Sequence, residues 1–441
     1  RARAAVVPRG LRRRRGRRPP LHALFLQTAH TGRRIRDGAY GNETLMHALH
    51  GIRVLDLSRV LAGPTAGQTL ADLGADVIKV EGPDGDDTRK WGAQIGARES
   101  SYYLSANRSK RGVCVDLSTK EGQELVAALA DRSDVVIENF KLGGVERFGL
   151  DYETLSKRNP RLVYCSISGY GRQSPFKARL GYDMVVQAEA GLMAINGEAH
   201  SEPVKVGGAA ADLGPGMISA QAIRAARVAR ATTGRGQHID MALFDCGLQF
   251  LAYLGTAAMF LNRNPVRYGN GHPDVVPYGL FECGDGSVII AVGNDAQYRK
   301  LCADVLGRPD MATDPRFLTN RDRAANRDAL MQEMDVALRK MTRAEIADGM
   351  LKAGVPGGQV RGVLDALHSA EAQARDMVVR RAHPEAGDIS FFASPIRMSD
   401  TPVRAPSLPP VFAQHTDEVL SELLGLDAGR LEALRTSGAI R

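Results

Sequence analysis

One carboxylate stands apart in this chain. Asp183 lies in Gly181-Tyr-Asp-Met-Val-Val-Gln-Ala-Glu-Ala-Gly191, between a Gly-Tyr turn and the start of a small-residue helix. No histidine occurs from Gly51 through Ala199. Imidazole acid/base chemistry is therefore absent from this half, unless His200 or a later residue folds back. The next acid, Glu189, is six residues on and falls on a different helical face. A solitary carboxylate can act as a nucleophile on a substrate that is already activated, as a thioester is. It can equally be a helix N-cap, a position that Asp favours. The residue pattern alone leaves both readings open.

Basic groups cluster after the strand-like runs of the first half. Arg89 follows Gly85-Asp-Asp-Thr88; Arg108, Lys110 and Arg111 crowd into Asn107–Arg111; Arg147 lies seven residues beyond Glu138-Asn-Phe140. Cations at the carboxyl edge of a parallel sheet suit a phosphorylated ligand, and helix N-termini add N–H donors. Each taken singly reads as a solvated surface charge. Tyr268-Gly-Asn-Gly-His-Pro273 is a loop of residues that tolerate positive φ. Gly269 and Gly271 can turn their N–H groups toward a developing oxyanion, or the loop is a plain turn with His272 at its surface.

Alternating strand and helix must position these groups. Ile52–Leu57 reads as a strand and Gly63–Leu73 as a helix with Pro64 in its first turn. Asp76–Glu81 is the next strand. Gly112–Asp116 is another, followed by a capping box over Ser118–Glu121 and a helix to about Arg132. Asp134–Glu138 and Arg161–Ile167 are strands, with Asp151 as a helix cap between them. This spacing means a parallel sheet with right-handed crossovers. The fold class is α/β: an open, Rossmann-like parallel-sheet large domain over 46–230, linker helices over 231–264, and a smaller α+β domain over 265–365. Within the last, Phe281–Val292 reads as a hairpin. Residues 366–441, with a Pro-rich strap at 405–410 and an amphipathic helix at 416–424, return to the large domain.

Composition narrows the function. Residues 1–45 hold twelve Arg against one Asp and one Glu, a net +10, so the remainder of a chain of net charge +8 carries −2. The basic balance belongs to a tail expected to be disordered, and no nucleic-acid surface follows for the folded part. No stretch approaches ~18 uninterrupted apolar residues, so no membrane span is expected. Five widely spaced cysteines without a Cys-x-x-Cys pair argue against disulfides and zinc, and for a reducing compartment. A cytoplasmic location is the expectation, or the mitochondrial matrix if the Arg-rich tail is a transit peptide. The first strand-to-helix turn lacks Gly-x-Gly-x-x-Gly, and the chain lacks a phosphate-binding Gly-Lys-Ser/Thr loop, a Gly-x-Ser-x-Gly elbow and metal-ligand spacing. Dinucleotide, ATP, serine-hydrolase and metal chemistries are thereby disfavoured.

Ten short segments, in order, resemble the class III CoA-transferases, the CaiB/BaiF family of formyl-CoA transferase and the carnitine CoA-transferases. They are Gly51–Leu57 with Ala62-Gly-Pro64, Ala75–Glu81, Gly85–Arg89, Asn107 with Lys110-Arg111, Glu138-Asn-Phe140, Ser168–Gly171, Gly181-Tyr-Asp183, Thr233–Gln237, Gly354-Val-Pro356 and Gln414–Asp417. Together they cover about residues 48–430. The resemblance implies that the Asp183 carboxylate attacks an acyl-CoA thioester, passes through an aspartyl anhydride and an aspartyl-CoA thioester, and delivers CoA to a free carboxylic acid. No permanent cofactor is implied; the CoA thioester is a substrate. It also implies an interlocked homodimer and a mobile loop at Gly269, Gly271 and His272 that closes over the intermediate.

For CoA the resemblance points to Val60, Ala62, Arg89, Lys110, Arg111, Val115, Asn139, Phe140, Arg147 and Tyr170. The chain also departs from the family. Gly82, Ser118 and Ser168 stand where formyl-CoA transferase has basic residues near the nucleotide, and Leu61 replaces a glutamine that contacts the small substrate there. That replacement argues against formyl and oxalyl groups. The 268–278 stretch looks like that of members acting on dicarboxylates such as succinate and glutarate. An α-methylacyl-CoA racemase would share the fold but needs a histidine and a second acid to move an α-proton. A non-catalytic acyl-CoA-binding protein would tolerate loss of Asp183.

Overall fold

The computed structural model describes residues 46–441; the disordered tail expected over 1–45 lies outside the described residues. Six strands build the main sheet: β1 (Arg53–Asp56), β2 (Asp76–Glu81), β3 (Arg111–Cys114), β4 (Val135–Glu138), β5 (Val163–Ser168) and β6 (His238–Ala242). All pair in parallel, in the order β3-β2-β1-β4-β5-β6. That order reverses direction between β1 and β4, as in doubly wound nucleotide-binding sheets.

Parallel strands need cover on both faces, and successive residues divide between two cores. Leu55, Ile78 and Val136 face helices Lys120–Asp131, Thr416–Leu424 and Ala428–Thr436. Their neighbours Val54, Val77 and Val135 face helices Ala62–Asp72 and Ala210–Thr233. Cys114 and Cys165 are fully buried here, and burial raises both thiols, to about 11 and about 12.

The segment 231–264, expected to be linker helices, instead supplies the edge strand β6 before its two helices. Gly236 lets it dock, because a Cβ there would lie 1.9 Å from the Leu162 carbonyl oxygen. The helix cap expected at Ser118 is Thr119, which accepts from the Gly122 N–H at 3.1 Å.

A third core lies under the antiparallel strands β7 (Tyr278–Cys283), β8 (Gly286–Ala291) and β9 (Gly357–Gln359), with helices Arg327–Leu338 and Arg343–Ala353 against them. A hairpin of β10 (Val378–His383) and β11 (Gly387–Phe392) follows. The chain then runs back along the β3 edge. Arg404 donates to the Asp72 carbonyl at 2.7 Å, Ser109 to that of Ser407 at 3.2 Å and Asp116 to that of Ala439 at 2.9 Å. Among the described residues no single helix is long and apolar enough to cross a membrane.

Candidate functional site

A cleft of about 740 Å³ opens at the carboxyl edge of the sheet. It straddles the point between β1 and β4 where strand order reverses, the place where open α/β sheets bind ligands. Val60, Ala62, Val115, Asn139, Phe140 and Arg147 line it, as do Leu61, Gly82, Ser118 and Ser168. The first six are positions that the family resemblance points to for CoA, and the other four are those at which the chain departs from formyl-CoA transferase.

The turn after β1 is fixed from below. Val60 adopts φ +68°, a strained conformation for a β-branched residue. Its N–H points at both Asp86 oxygens, 3.3 Å away. Asp86 is tied to the fully buried Lys79 at 2.8 Å and to the Thr88 N–H and hydroxyl at 3.0 and 2.8 Å. Burial works to raise this carboxyl, but Lys79 and the Thr88 donors outweigh it and hold the group at about 2. The Asn139 side chain clasps the same turn, accepting from the Arg59 N–H at 2.8 Å and donating to the Arg59 carbonyl at 2.7 Å. The cleft floor is thus rigid before any ligand arrives.

Asp183 opens helix Asp183–Glu189, directly after Gly181 and Tyr182 of the cleft wall. It is not the helix cap; Tyr182 holds that position and makes no side-chain cap bond. Asp183 Oδ1 accepts from the Ala211 N–H at 2.8 Å, and Oδ2 accepts from Gln187 Nε2 at 2.8 Å. Gln187 is fully buried and is itself fixed, its Oε1 accepting from the Val206 N–H at 2.8 Å. Ala211 is the second residue of the 24-residue helix Ala210–Thr233, so the carboxylate sits at that helix's positive end. The side chain is half-buried and orientated, with lone pairs left over.

Next to Ala211, Asp212 lines the cleft. Burial first, and then the Asp183 charge, push its carboxyl up to about 7. No hydrogen bond or ion pair among the described residues engages that carboxyl. Sequence reading passed it over, because an acid in Gly207-Gly-Ala-Ala-Ala-Asp212 looks like ordinary first-turn helix chemistry.

Several expected ligand contacts lie elsewhere. Arg89 is 2% exposed and spends its guanidinium on Glu81 at 2.7 and 2.8 Å, Glu99 at 3.0 Å and the Pro410 carbonyl at 3.1 Å. Lys110 is buried against Asp56, the Pro64 carbonyl and Asn107, each at 2.9 Å. Burial outweighs the Asp56 attraction and lowers its ammonium to about 8. Arg111 starts β3, at the opposite end of that strand from the cleft, and binds Asp76, Glu418 and Glu422. These three cations hold the fold together and are replaced at the cleft by others. Arg59, Lys141, Arg147 and Lys177 line it and are exposed. Among the described residues no carboxylate lies within ion-pair distance of Lys141, Arg147 or Lys177.

Tyr170 sits behind the wall. Its hydroxyl donates to Glu189 at 2.5 Å and its ring lies under Arg179, with 4.4 Å from guanidinium carbon to ring centroid. The glycine loop is outside this chain's cleft lining. Gly269 donates to the Gly197 carbonyl at 3.1 Å and Gly271 to that of Tyr268 at 2.9 Å, so neither N–H is free for an oxyanion. His272 Nδ1 accepts from the N–H groups of Asp274 and Val275, and its ring stacks on Tyr253. No histidine lines the cleft among the described residues.

An orientated carboxylate, a second carboxyl biased toward its neutral form and a rim of unpaired cations suit nucleophilic attack on an activated acyl group carried by a phosphorylated ligand. Comparison with known proteins agrees. The model of "CoA-transferase family III" matches residues 49–416. The chain is 42% identical to succinate–glutarate CoA-transferase of Agrobacterium fabrum over 85% of this chain and 95% of that protein. It is 36% identical to mouse succinyl-CoA:glutarate CoA-transferase over 90% and 91% of the two chains. A crystal structure of a CaiB/BaiF family protein from Brucella suis superposes with a TM-score of 0.78 at 43% identity, covering 86% of this chain and all of that one.

Proposed function

The chain belongs to CoA-transferase family III and is a CoA-transferase, and on that premise we propose that Asp183 is the residue that carries the acyl group and then CoA. Its ionised carboxylate adds to the thioester carbonyl. The C–S bond breaks, giving an Asp183 acyl anhydride and CoA thiolate. The thiolate attacks the aspartyl carbonyl, releases the first acid as its carboxylate and leaves Asp183 as a CoA thioester. An acceptor carboxylate runs the two steps in reverse. Each step exchanges one anionic nucleophile for one anionic leaving group, so charge balances and no ATP is consumed. The observation that carries this reading is the hold on Asp183 by Ala211 and Gln187, beside the cleft-lining Gly181, Tyr182 and Asp212. Racemisation would need an acid/base pair across the α-carbon, and the cleft offers no histidine for it.

Arg59, Lys141, Arg147 and Lys177 are the groups we assign to the CoA phosphates, with Val60, Ala62, Val115, Asn139 and Phe140 forming the walls around the carrier. The donor and acceptor acids are taken to be C4–C5 dicarboxylates, following the names of the relatives. The working unit is taken to be a homodimer. Helix Ala252–Leu261 supports this, since Met259 and Phe260 are 78% and 85% exposed on it and would need cover.

The test is intact-protein mass spectrometry after incubation with succinyl-CoA. The expected result is an adduct that hydroxylamine removes and that maps to Asp183, absent from Asp183→Ala. Turnover by Asp183→Ala at the wild-type rate would overturn the assignment.

A further inference from the structure

Two carboxyl groups stand at this site, and they are treated differently. Asp183 has two N–H donors, from Ala211 and Gln187. Asp212, on the same helix turn as Ala211 and exposed to the cleft, has none among the described residues. When two acids share a partly desolvated site, the one without donors keeps its proton. We propose that Asp212 is a second catalytic group of this site, facing the reacting centre as a neutral acid and donating a hydrogen bond to the oxyanion formed when Asp183 attacks.

The surroundings favour that state. The Asp183 charge acts on Asp212, and both carboxyl groups act on the Tyr102 phenol of helix Ser101–Ala106. Burial and then the Asp212 and Asp183 charges raise that phenol, so it too stays neutral near pH 7. Helix Ala62–Asp72 packs on the same turn through uncharged groups, Gly216 lying against Ala62 and Thr65. Helix Leu243–Gln249 brings Leu243 to the cleft, and the adjoining Phe250 packs against Gly214. No cation pairs with Asp212 among the described residues. Burial and the Asp183 charge together place the group near 7.

The chemistry needs such a donor. Attack by Asp183 on the thioester carbonyl forms one C–O bond and moves the carbonyl electron pair onto oxygen. The Asp212 O–H can donate to that oxygen, and when the C=O re-forms and the C–S bond breaks, the proton is still on Asp212. No net proton is transferred, in keeping with the charge balance of the exchange. The glycine loop's N–H groups are engaged elsewhere in this chain, which leaves Asp212 as an available donor. If ionised, Asp212 would instead set a second negative charge against the oxyanion.

This inference rests on Asp183 being the nucleophile, and the experiment separates the two. The rate of Asp183 adduct formation with succinyl-CoA is measured from pH 5.5 to 9 on the full chain carrying Asp212→Asn or Asp212→Ala. The wild-type rate should fall as pH rises through about 7. Asp212→Asn keeps an N–H donor that cannot ionise, so it should stay within about tenfold of wild type at pH 6 and lose the alkaline decline. Asp212→Ala, lacking a donor, should fall ~10²-fold at pH 6. Wild-type rates in Asp212→Ala, or an unchanged pH profile in Asp212→Asn, would overturn the role of Asp212 while leaving Asp183 in place. Absence of any Asp183 adduct in the wild type would remove both.

Discussion

Arg89 and Arg147 look alike in the sequence and should behave in opposite ways when removed. The Arg89 guanidinium lies 3.6 Å from the Tyr103 ring centroid and neutralises Glu81 and Glu99, which are 4% and 2% exposed. Truncation to alanine leaves two buried carboxylates without a cation, a loss of about 3–5 kcal/mol. It also frees the Pro410 carbonyl, one of the points where the returning C-terminal segment is anchored. Arg147 is exposed and pairs with no carboxylate among the described residues, so Arg147→Ala should change stability by no more than ~0.5 kcal/mol. If it meets a phosphate, it loses a charge-assisted hydrogen bond of ~1.5 kcal/mol, about tenfold in affinity. Urea unfolding and KM for succinyl-CoA, measured on both variants, separate the two roles. Arg89→Ala should lower the unfolding midpoint sharply. Arg147→Ala should leave the midpoint in place and raise KM about tenfold. A stable Arg89→Ala with raised KM would mean that its charge serves the ligand after all, and the division between structural and ligand-facing cations drawn here would be wrong.

Two further outcomes follow from the same geometry. The Asp212 pKa is raised from 3.8 to about 7 on folding, so its contribution is fully present below about pH 4 and is lost as pH rises through about 7. Asp212→Asn should therefore match wild type most nearly below about pH 4 and exceed it at pH 8, by ~1–3 kcal/mol after discounting the full shift for solvent access; equal unfolding midpoints at pH 8 would refute the shift. If helix Ala252–Leu261 lies in a dimer interface, Phe260→Asp should move the particle toward monomer mass in light scattering, and an unchanged dimer, or a monomeric wild type, would exclude this face.

The parallel-sheet half was legible because its strands are short apolar runs punctuated by caps and glycines. Asp151 caps its helix for a local reason that a sequence states directly, and the cap read at Ser118 falls one residue later, at Thr119. β6 was hidden because the short apolar run His238–Leu243 is only half-buried at a sheet edge, carries Asp240 in its middle and continues directly into helix Leu243–Gln249, so it reads as part of the helical stretch around it. The cations were misplaced for a different reason. A sequence gives the sign of a side chain but not its partner, and Lys110 meets Asp56 across 54 positions. The acids Glu81 and Glu99, eight and ten residues from Arg89, were the available hint that this arginine was already occupied. Asp183 stood out as a carboxylate without a histidine or acid partner nearby, and the family resemblance, not the residue pattern, made it the nucleophile. Asp212 could not, since its role depends on a cleft that forms only when two helices meet.

That meeting also explains how the fold couples ligand to nucleophile. Helix Ala210–Thr233 presents the Ala211 N–H to Asp183 and carries Asp212 on the following residue. Its first turns lie against helix Ala62–Asp72 at Gly216, where a Cβ would come within 2.5 Å of the Ala62 carbonyl oxygen. Ala62 closes the turn that Val60 begins, and that turn is pinned through Asp86 to the fully buried Lys79. The wall assigned to CoA and the residue assigned to attack on its thioester therefore share one packed contact. Displacing either helix by the radius of a methyl group would move both. A reaction that passes the same carrier to and from one side chain needs a fixed distance between them, and a glycine contact between two helices, backed by a buried ion pair, is a means of fixing it.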